Sequence, residues 1–444
     1  MQKEIITKER LELCRKDREE CRETVYKKLL PKLGEETISE LRSLYELYDE
    51  RMYIWLAGLW DKDNGGFYFS NSARDTEGFL PDTESTVQAL RHTETVGLTS
   101  WFGGWKNALS KENIDTLLKF ATGMQSEDDG FFYHPQWGKN VGVSRRGRDL
   151  TFTTILIKDC GGMPLYDTPN GIKGTLGAPK SFAGVENQDS KITASPDHLK
   201  TLDKFREYLD SQFCVDNLDS YTTGNRFNAQ AGQIAAAGDD FKKLFVDYVT
   251  EKQDSSTGLW EPLSYRAVNG LMKIGDVITA FGYPVPNSAA ALESAIAMAL
   301  TPTLTGEGNN HVCSIYNYWI SLHFLVNSAR KFEGEESGEK IRKRILDMAP
   351  ELLRITKNKM LPFKKPDGGF SYTPGKNSDF SQGAPIAPAA LPESGINATH
   401  ILSSGTLGRI NGLLGSSELK IFGKEDGRLF LELLQNSESV VKKG

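Results

Sequence analysis

Trp60-Asp-Lys-Asp-Asn-Gly65-Gly-Phe67 recurs in outline three more times along the chain. The second copy is Gln125-Ser-Glu-Asp-Asp-Gly130-Phe-Phe132 and the third is Gln253-Asp-Ser-Ser-Thr-Gly258-Leu-Trp260. A fourth, one residue shorter, is Lys364-Lys-Pro-Asp-Gly368-Gly-Phe370. The shared form is a polar or aromatic anchor, polar residues, Gly, any residue, then an aromatic. The first three glycines stand at 65, 130 and 258, so the second gap, 128, is about twice the first, 65. A spacing that doubles predicts stacked two-helix units with one copy worn away. The pattern suits a turn between helices: acids and amides solvate the helix end, Gly takes a conformation closed to residues with a Cβ, and the aromatic tucks back as a wedge. Generic turn chemistry is the alternative, and three matches at fixed internal spacing count against it.

Around these turns the chain reads as helix. Ile38, Leu41, Leu44, Tyr45, Tyr48, Met52 and Trp55 recur at steps of three and four, predicting a helix over 38–59. Similar stretches lie near 4–30, 83–96, 111–124, 197–213, 240–252, 264–281, 287–300, 312–330, 338–357, 396–414 and 425–437. Ser195-Pro196 marks a helix start. Thr151–Ile157 (TFTTILI) is β-branched and fits helix or strand. Residues 163–196 and 359–395, rich in Gly, Pro, Ser and Asn, are expected to be long ordered loops over a cavity mouth, anchored by aromatics such as Tyr166, Phe182 and Tyr372. The expected organisation is a helical extension over 1–35 followed by one all-α domain over 36–444.

Composition narrows the function. The chain has 444 residues, 39% hydrophobic and 25% charged, long enough for a sizeable core without disulfides or metals. Net charge is −6, which disfavours a general nucleic-acid binder. No apolar run approaches membrane-spanning length, and Met1-Gln2-Lys3-Glu4 lacks an apolar signal core, so a cytoplasmic protein without membrane insertion is expected. The five cysteines include no CxxC, which points to neither a disulfide framework nor a thiolate zinc cage.

The Gln253–Trp260 form resembles the repeat of squalene and oxidosqualene cyclases, and Asp367–Phe370 is similar to repeats of protein prenyltransferase β subunits. Both families are α/α toroids, an inner ring of helices within an outer ring. The resemblance spans roughly 38–415 and implies that fold, with 85–96 and 398–414 as inner helices; its motifs are structural and do not identify chemistry. Tyr53–Phe69 (YIWLAGLWDKDNGGFYF) also looks like the opening of sugar 2-epimerases, another α/α barrel. The acidic D-x-D-D element of triterpene cyclases is absent, and Cys313 beside His311 lacks the Asp of the prenyltransferase zinc site. Both isoprenoid chemistries are therefore disfavoured.

Three clusters are suited to chemistry. Asn309-Asn310-His311 looks like the N-N-H motif of alginate lyases, also toroids. That resemblance implies Asn310 as neutraliser of a uronate carboxylate, His311 as base, and Tyr316 or Tyr318 as acid. His311, Ser314 and Tyr318 are spaced i, i+3, i+7, one helical face able to move protons. The alternative is an N-cap pair before a structural His and Tyr. Second, Arg145, Arg146 and Arg148 form a cationic run that suits a carboxylate or phosphate, with Tyr133, His134 and Trp137 nearby to stack on sugar rings; solvated arginines paired with local acids are the alternative. Third, Glu84, Gln88 and Arg91 share a helix face, either turned to a cavity or simply complementing the helix dipole. His400 begins an inner helix and joins the candidates. The leading expectation is a cofactor-free lyase or isomerase acting on an acidic sugar or oligosaccharide in a central cavity. The rivals are a terpenoid cyclase- or prenyltransferase-like toroid holding an apolar ligand, and a non-catalytic binding scaffold. Cavity lining separates them: Arg, His, Tyr and carboxylates for carbohydrate, continuous Phe, Trp and Leu for isoprenoid.

Overall fold

In the computed structural model, which describes residues 2–180, 196–216, 218–304 and 308–440, all four repeat copies close into similar small turns. An isolated antiparallel bridge clasps each one: Trp60 to Phe67, Gln125 to Phe132, Asp254 to Leu259 and Lys364 to Phe370. The motif glycine has positive φ in every copy, 78° at Gly65, 73° at Gly130, 67° at Gly258 and 89° at Gly368. In the three full-length copies its amide donates to the carbonyl four residues earlier; in the shorter fourth it reaches back three. Where the anchor is Gln, its Nε2 donates to the glycine carbonyl, at 3.0 Å from Gln125 and 2.8 Å from Gln253.

These glycines are also contact points. A Cβ at Gly65 would stand 2.9 Å from the Thr116 carbonyl oxygen, and one at Gly368 only 2.5 Å from the Met52 amide nitrogen. The turn thus docks on backbone of a neighbouring segment, and the fourth copy brings its hairpin against residues near the start of the chain.

The molecule is predominantly helical, 63% helix and 3% strand. Its extended helices are α1 (Lys8–Tyr45), α2 (Glu50–Gly58), α3 (Thr83–Val96), α4 (Lys111–Gly123), α5 (Val143–Asp159), α6 (Leu202–Phe213), α7 (Ser220–Ala237) and α8 (Asp239–Lys252). They continue with α9 (Tyr265–Ala280), α10 (Ser288–Leu300), α11 (Val312–Glu333), α12 (Glu335–Asp347), α13 (Ala349–Met360) and α15 (Lys424–Gln435). Between α13 and α15, Ile396–His400, a π-helical turn Ile401–Gly405 and Thr406–Leu414 run on as one helix, α14. A two-residue hairpin pairs Phe380–Ser381 with Ala384–Pro385.

The expected helix over 38–59 is interrupted, because Asp49 turns extended and accepts from the Arg51 amide as the N-cap of α2. The expected 338–357 helix is two, divided at Met348. No helix starts at Pro196. A 3₁₀ turn, Asp197–Leu199, precedes α6, whose cap is Thr201, and Ser195 and Phe182 lie outside the described residues. Residues 143–159, which hold the arginine run and the Thr151–Ile157 segment, form one helix.

Helix packing follows a simple order. α7 lies on α9, α9 on α11, α11 on α14, α14 on α3, and α3 on α5. Several of these neighbours run parallel: Tyr316 and His323 of α11 face Gly405 and Gly412 of α14, and Ser220 and Lys273 meet Gly270 and Gly224 across α7 and α9. Parallel neighbours cannot follow each other directly in sequence. The intervening helix returns the chain, and the repeat turn reverses it. α1 packs along α13 and α15, and α15 on α2. No helix among the described residues is long and apolar enough to cross a membrane.

Candidate functional site

α3, α11 and α14, joined by the end of α5 and the short helix Trp105–Ala108, surround a cavity of about 840 Å³. Its charged lining is Arg91, Lys106 and Arg409 against Glu94 and Asp159; Tyr316, His400, Ser404 and Trp105 complete the functional groups. Lys106 Nζ is held by Asp159 at 2.7 Å. The guanidinium groups of Arg91 and Arg409 make no ion pair or side-chain hydrogen bond among the described residues, nor does the Tyr316 hydroxyl. The cavity therefore holds two unspent cations, one unspent carboxylate, Glu94, and one unspent phenol.

His400 is half-buried, with its Nδ1 shut away from solvent and lacking a hydrogen-bond partner. Burial, then the charge of Arg91, push its pKa down to about 4, so the ring is neutral near pH 7. Behind it stands His92, fully buried, ring centroids 6.3 Å apart and edge-on. Burial, then His400, take His92 down to about 3. Its Nδ1 lies 2.9 Å from Ser404 Oγ and 3.0 Å from Ser403 Oγ, both in the π-helical turn. A π turn adds a residue to the helical wheel, which is how α14 presents Ser403 and Ser404 to His92 while keeping His400 and Arg409 in the cavity wall.

The remaining sequence candidates lie elsewhere, and most are committed to structural contacts. His311 is the N-cap residue of α11, its ring stacked on Tyr372 with centroids 5.7 Å apart. Burial, then Arg266, lower its pKa, and its Nδ1 is buried without a partner. It does not line the cavity, and the structure does not bring it to Tyr316. Tyr318 is fully buried, its hydroxyl 3.0 Å from Thr356 Oγ1, and Ser314 is fully buried too. The face His311–Ser314–Tyr318 is thus mostly the core-facing side of α11. Asn310 is exposed.

The arginine cluster is an internal ion network. Arg145 is fully buried, 3.1 Å from Glu84, 2.7 Å from Asp149 and 3.6 Å from Asp82, with its guanidinium 4.7 Å from the Trp137 ring centroid. Burial draws its pKa down, but Asp82, Asp149 and Glu84 outweigh that and raise it. Arg148 pairs with the same Glu84, which also accepts from Ser381 Oγ at 3.3 Å. Arg146 lies over Phe131. Trp137 Nε1 donates to Asp149 at 3.0 Å, and Tyr133 donates to Asp129 at 2.7 Å. His134 is stacked on Trp137, with Nε2 2.8 Å from the Pro81 carbonyl and Nδ1 accepting from the Gln136 amide. Arg145 and Arg148 thus have carboxylate partners and hold α3 to α5, while Arg146 has no ion pair among the described residues. Loop 359–395 covers the cluster through Ser381 and Gln382.

No family model, curated protein or solved structure matches this chain. The cavity must be read from its own groups. Of the residues singled out in the sequence, Arg91, Tyr316 and His400 meet there; Arg409, Lys106 and Glu94 were not singled out. Arg409 carried a usable signal. His400, Ser404, Gly408 and Arg409 follow each other at helical steps on a helix already expected to be an inner one. Among the described residues no group of three metal-ligating side chains comes together.

Proposed function

We propose that this chain is an α/α toroid which binds an acidic sugar or short oligosaccharide in the cavity between α3, α11 and α14, and acts on it as a lyase or isomerase. Supporting the toroid is the order of packed helices α7–α9–α11–α14–α3–α5, with α8, α10 and α4 returning the chain between α7 and α9, α9 and α11, and α3 and α5, and with Gly368 docking the last hairpin onto α2. The ligand class rests on one observation: Arg91 and Arg409 carry no ion pair in a cavity wall where Lys106 and Asp159 neutralise each other and Glu94 is the only other charge, which leaves a net positive lining. Guanidinium forks fit a carboxylate, and neutralising a uronate eases removal of the proton beside it. Neutral His400 is placed to accept that proton, and the Tyr316 hydroxyl to donate one. A bound anion beside His400 raises its pKa from about 4 toward the working range. A lining of arginine, histidine, tyrosine and carboxylate favours a sugar over an isoprenoid.

Calorimetric titration with glucuronate and short oligouronides, against their neutral counterparts, tests the reading. Uronates bind and neutral sugars bind weakly; Arg409→Ala or Arg91→Ala loses about tenfold or more in affinity, as expected for a charged hydrogen-bonding partner. Turnover would show as ultraviolet absorbance of an unsaturated uronate. Equal binding of neutral sugars, or indifference to both arginine substitutions, rules the reading out.

A further inference from the structure

A second, smaller cavity of about 210 Å³ adjoins the first. The two share Thr95 of α3 and Gly408 of α14, which form the neck between them. Beyond the neck the wall is Val96, Leu407, Leu419 and Ile421, with Tyr45 and Asn411. Lys420 and Ser417 complete the wall and make no side-chain hydrogen bond or ion pair among the described residues, while the other polar groups are spent on their neighbours. Asn411 Nδ2 donates to Tyr45 Oη at 2.8 Å and lies 3.3 Å from the Leu419 carbonyl. Ser403 donates to the Thr399 carbonyl, and Thr95 Oγ1 donates to the Arg91 carbonyl at 2.9 Å. The large cavity keeps Arg91, Arg409 and Tyr316 open, while the small one presents mainly aliphatic surface and satisfied polar atoms, with Lys420 and Ser417 as its open polar groups. Water there gains little, and apolar atoms gain most.

We propose that the ligand is an acidic sugar carrying an apolar substituent, an aryl ring or short acyl chain, which enters this pouch while the anionic ring lies against Arg91 and Arg409. The inference rests on the acidic-sugar reading above. At roughly 30 Å³ per water in the liquid, the pouch has room for about seven heavy atoms, a phenyl ring and its linking oxygen. The neck offers a clean control. A Cβ added to Gly408 meets nothing within 4 Å, and no positive φ reserves the position for glycine. A methyl there fits without strain, and a larger side chain starts from the wall shared by the two cavities.

The test compares three probes by calorimetry on the full chain: glucuronate, phenyl β-glucuronide and the neutral phenyl β-glucoside. On the native protein phenyl glucuronide binds about tenfold or more tighter than glucuronate, through apolar surface removed from water. Gly408→Leu brings the ratio of phenyl glucuronide to glucuronate affinity down to about one; Gly408→Ala retains the native ratio. Equal affinity of the native protein for glucuronate and phenyl glucuronide overturns the pouch assignment and leaves the acidic-sugar reading standing. Equal affinity for phenyl glucoside and phenyl glucuronide overturns the acidic-sugar reading itself. No binding by any of the three overturns both.

Discussion

Replacing Gly368 by Ala tests whether the repeat is a docking device or only a turn. The position has φ 89°, where an L side chain costs about 1–2 kcal/mol relative to glycine. Reduced freedom of the unfolded chain returns roughly 0.4–1 kcal/mol of that. The new methyl would also stand 2.5 Å from the Met52 amide and 2.8 Å from Arg51 Cβ. Backbone of α2 must retreat, an overpacking that costs about 1–3 kcal/mol. The expected loss is therefore about 2–4 kcal/mol. Gly161→Ala supplies the comparison, since its φ is 76° and a Cβ there meets nothing within 4 Å. It carries the conformational cost alone, about 1 kcal/mol. Urea unfolding of both variants, followed by circular dichroism, gives the two midpoints. If Gly368→Ala costs no more than Gly161→Ala, the contact with α2 contributes nothing and the repeat reduces to local turn chemistry.

Other substitutions separate the cavity from the clusters that sequence alone favoured. His311→Ala leaves uronate binding within about twofold of native, since the ring stacks on Tyr372 away from the cavity; a loss beyond tenfold would return His311 to the site. Glu84→Gln removes the shared partner of Arg145 and Arg148, and should lower stability by about 3–5 kcal/mol in thermal or urea melts, with an unchanged melt as the contrary result. His400 titrates near 4 when folded and near 6.5 when unfolded, so the unfolded chain binds more protons in between. Stability is then lost as pH falls from 6.5 to 4, by about 3 kcal/mol from this residue. His400→Gln flattens that part of the pH–stability curve, and a curve as steep as native contradicts it. Lys359, buried with its Nζ on the Met298 and Ala299 carbonyls, is pushed by burial down to about 7, so stability should rise with pH above 7; Lys359→Met removes the slope.

How much was legible depended on what carried the periodicity. α9 and α14 announce themselves through large apolar residues, and their bounds, like those of α3 and α10, hold to within a residue. α7 went unread because small residues do the packing. Its buried positions include Ser220, Thr223, Gly224 and Phe227, and Gly224 lies so close to α9 that a Cβ would be 2.6 Å from Lys273 Cβ. A helix that approaches its neighbour this closely has no room for the leucines that would reveal it. α5 was obscured by charge: Arg145 and Asp149, an i, i+4 pair, are buried together, and burial of an ion pair leaves no sign in a hydrophobic pattern. The same blindness governed the site. Arg145 and Arg409 are alike in sequence, and only the carboxylates around one and not the other separate a structural cation from an available one.

The position of α1 has a consequence for synthesis. Its buried side chains, among them Tyr26, Leu29, Leu41 and Leu44, are covered in part by α13 and α15. On a ribosome making about 5–20 residues per second, α15 emerges some 20–80 seconds after α1. For that interval α1, two helical stretches joined by a kink at Gly34, waits beside a growing chain with part of its cover not yet made. The apolar side chains of α1 are then open to wrong partners until α13 and α15 have been made.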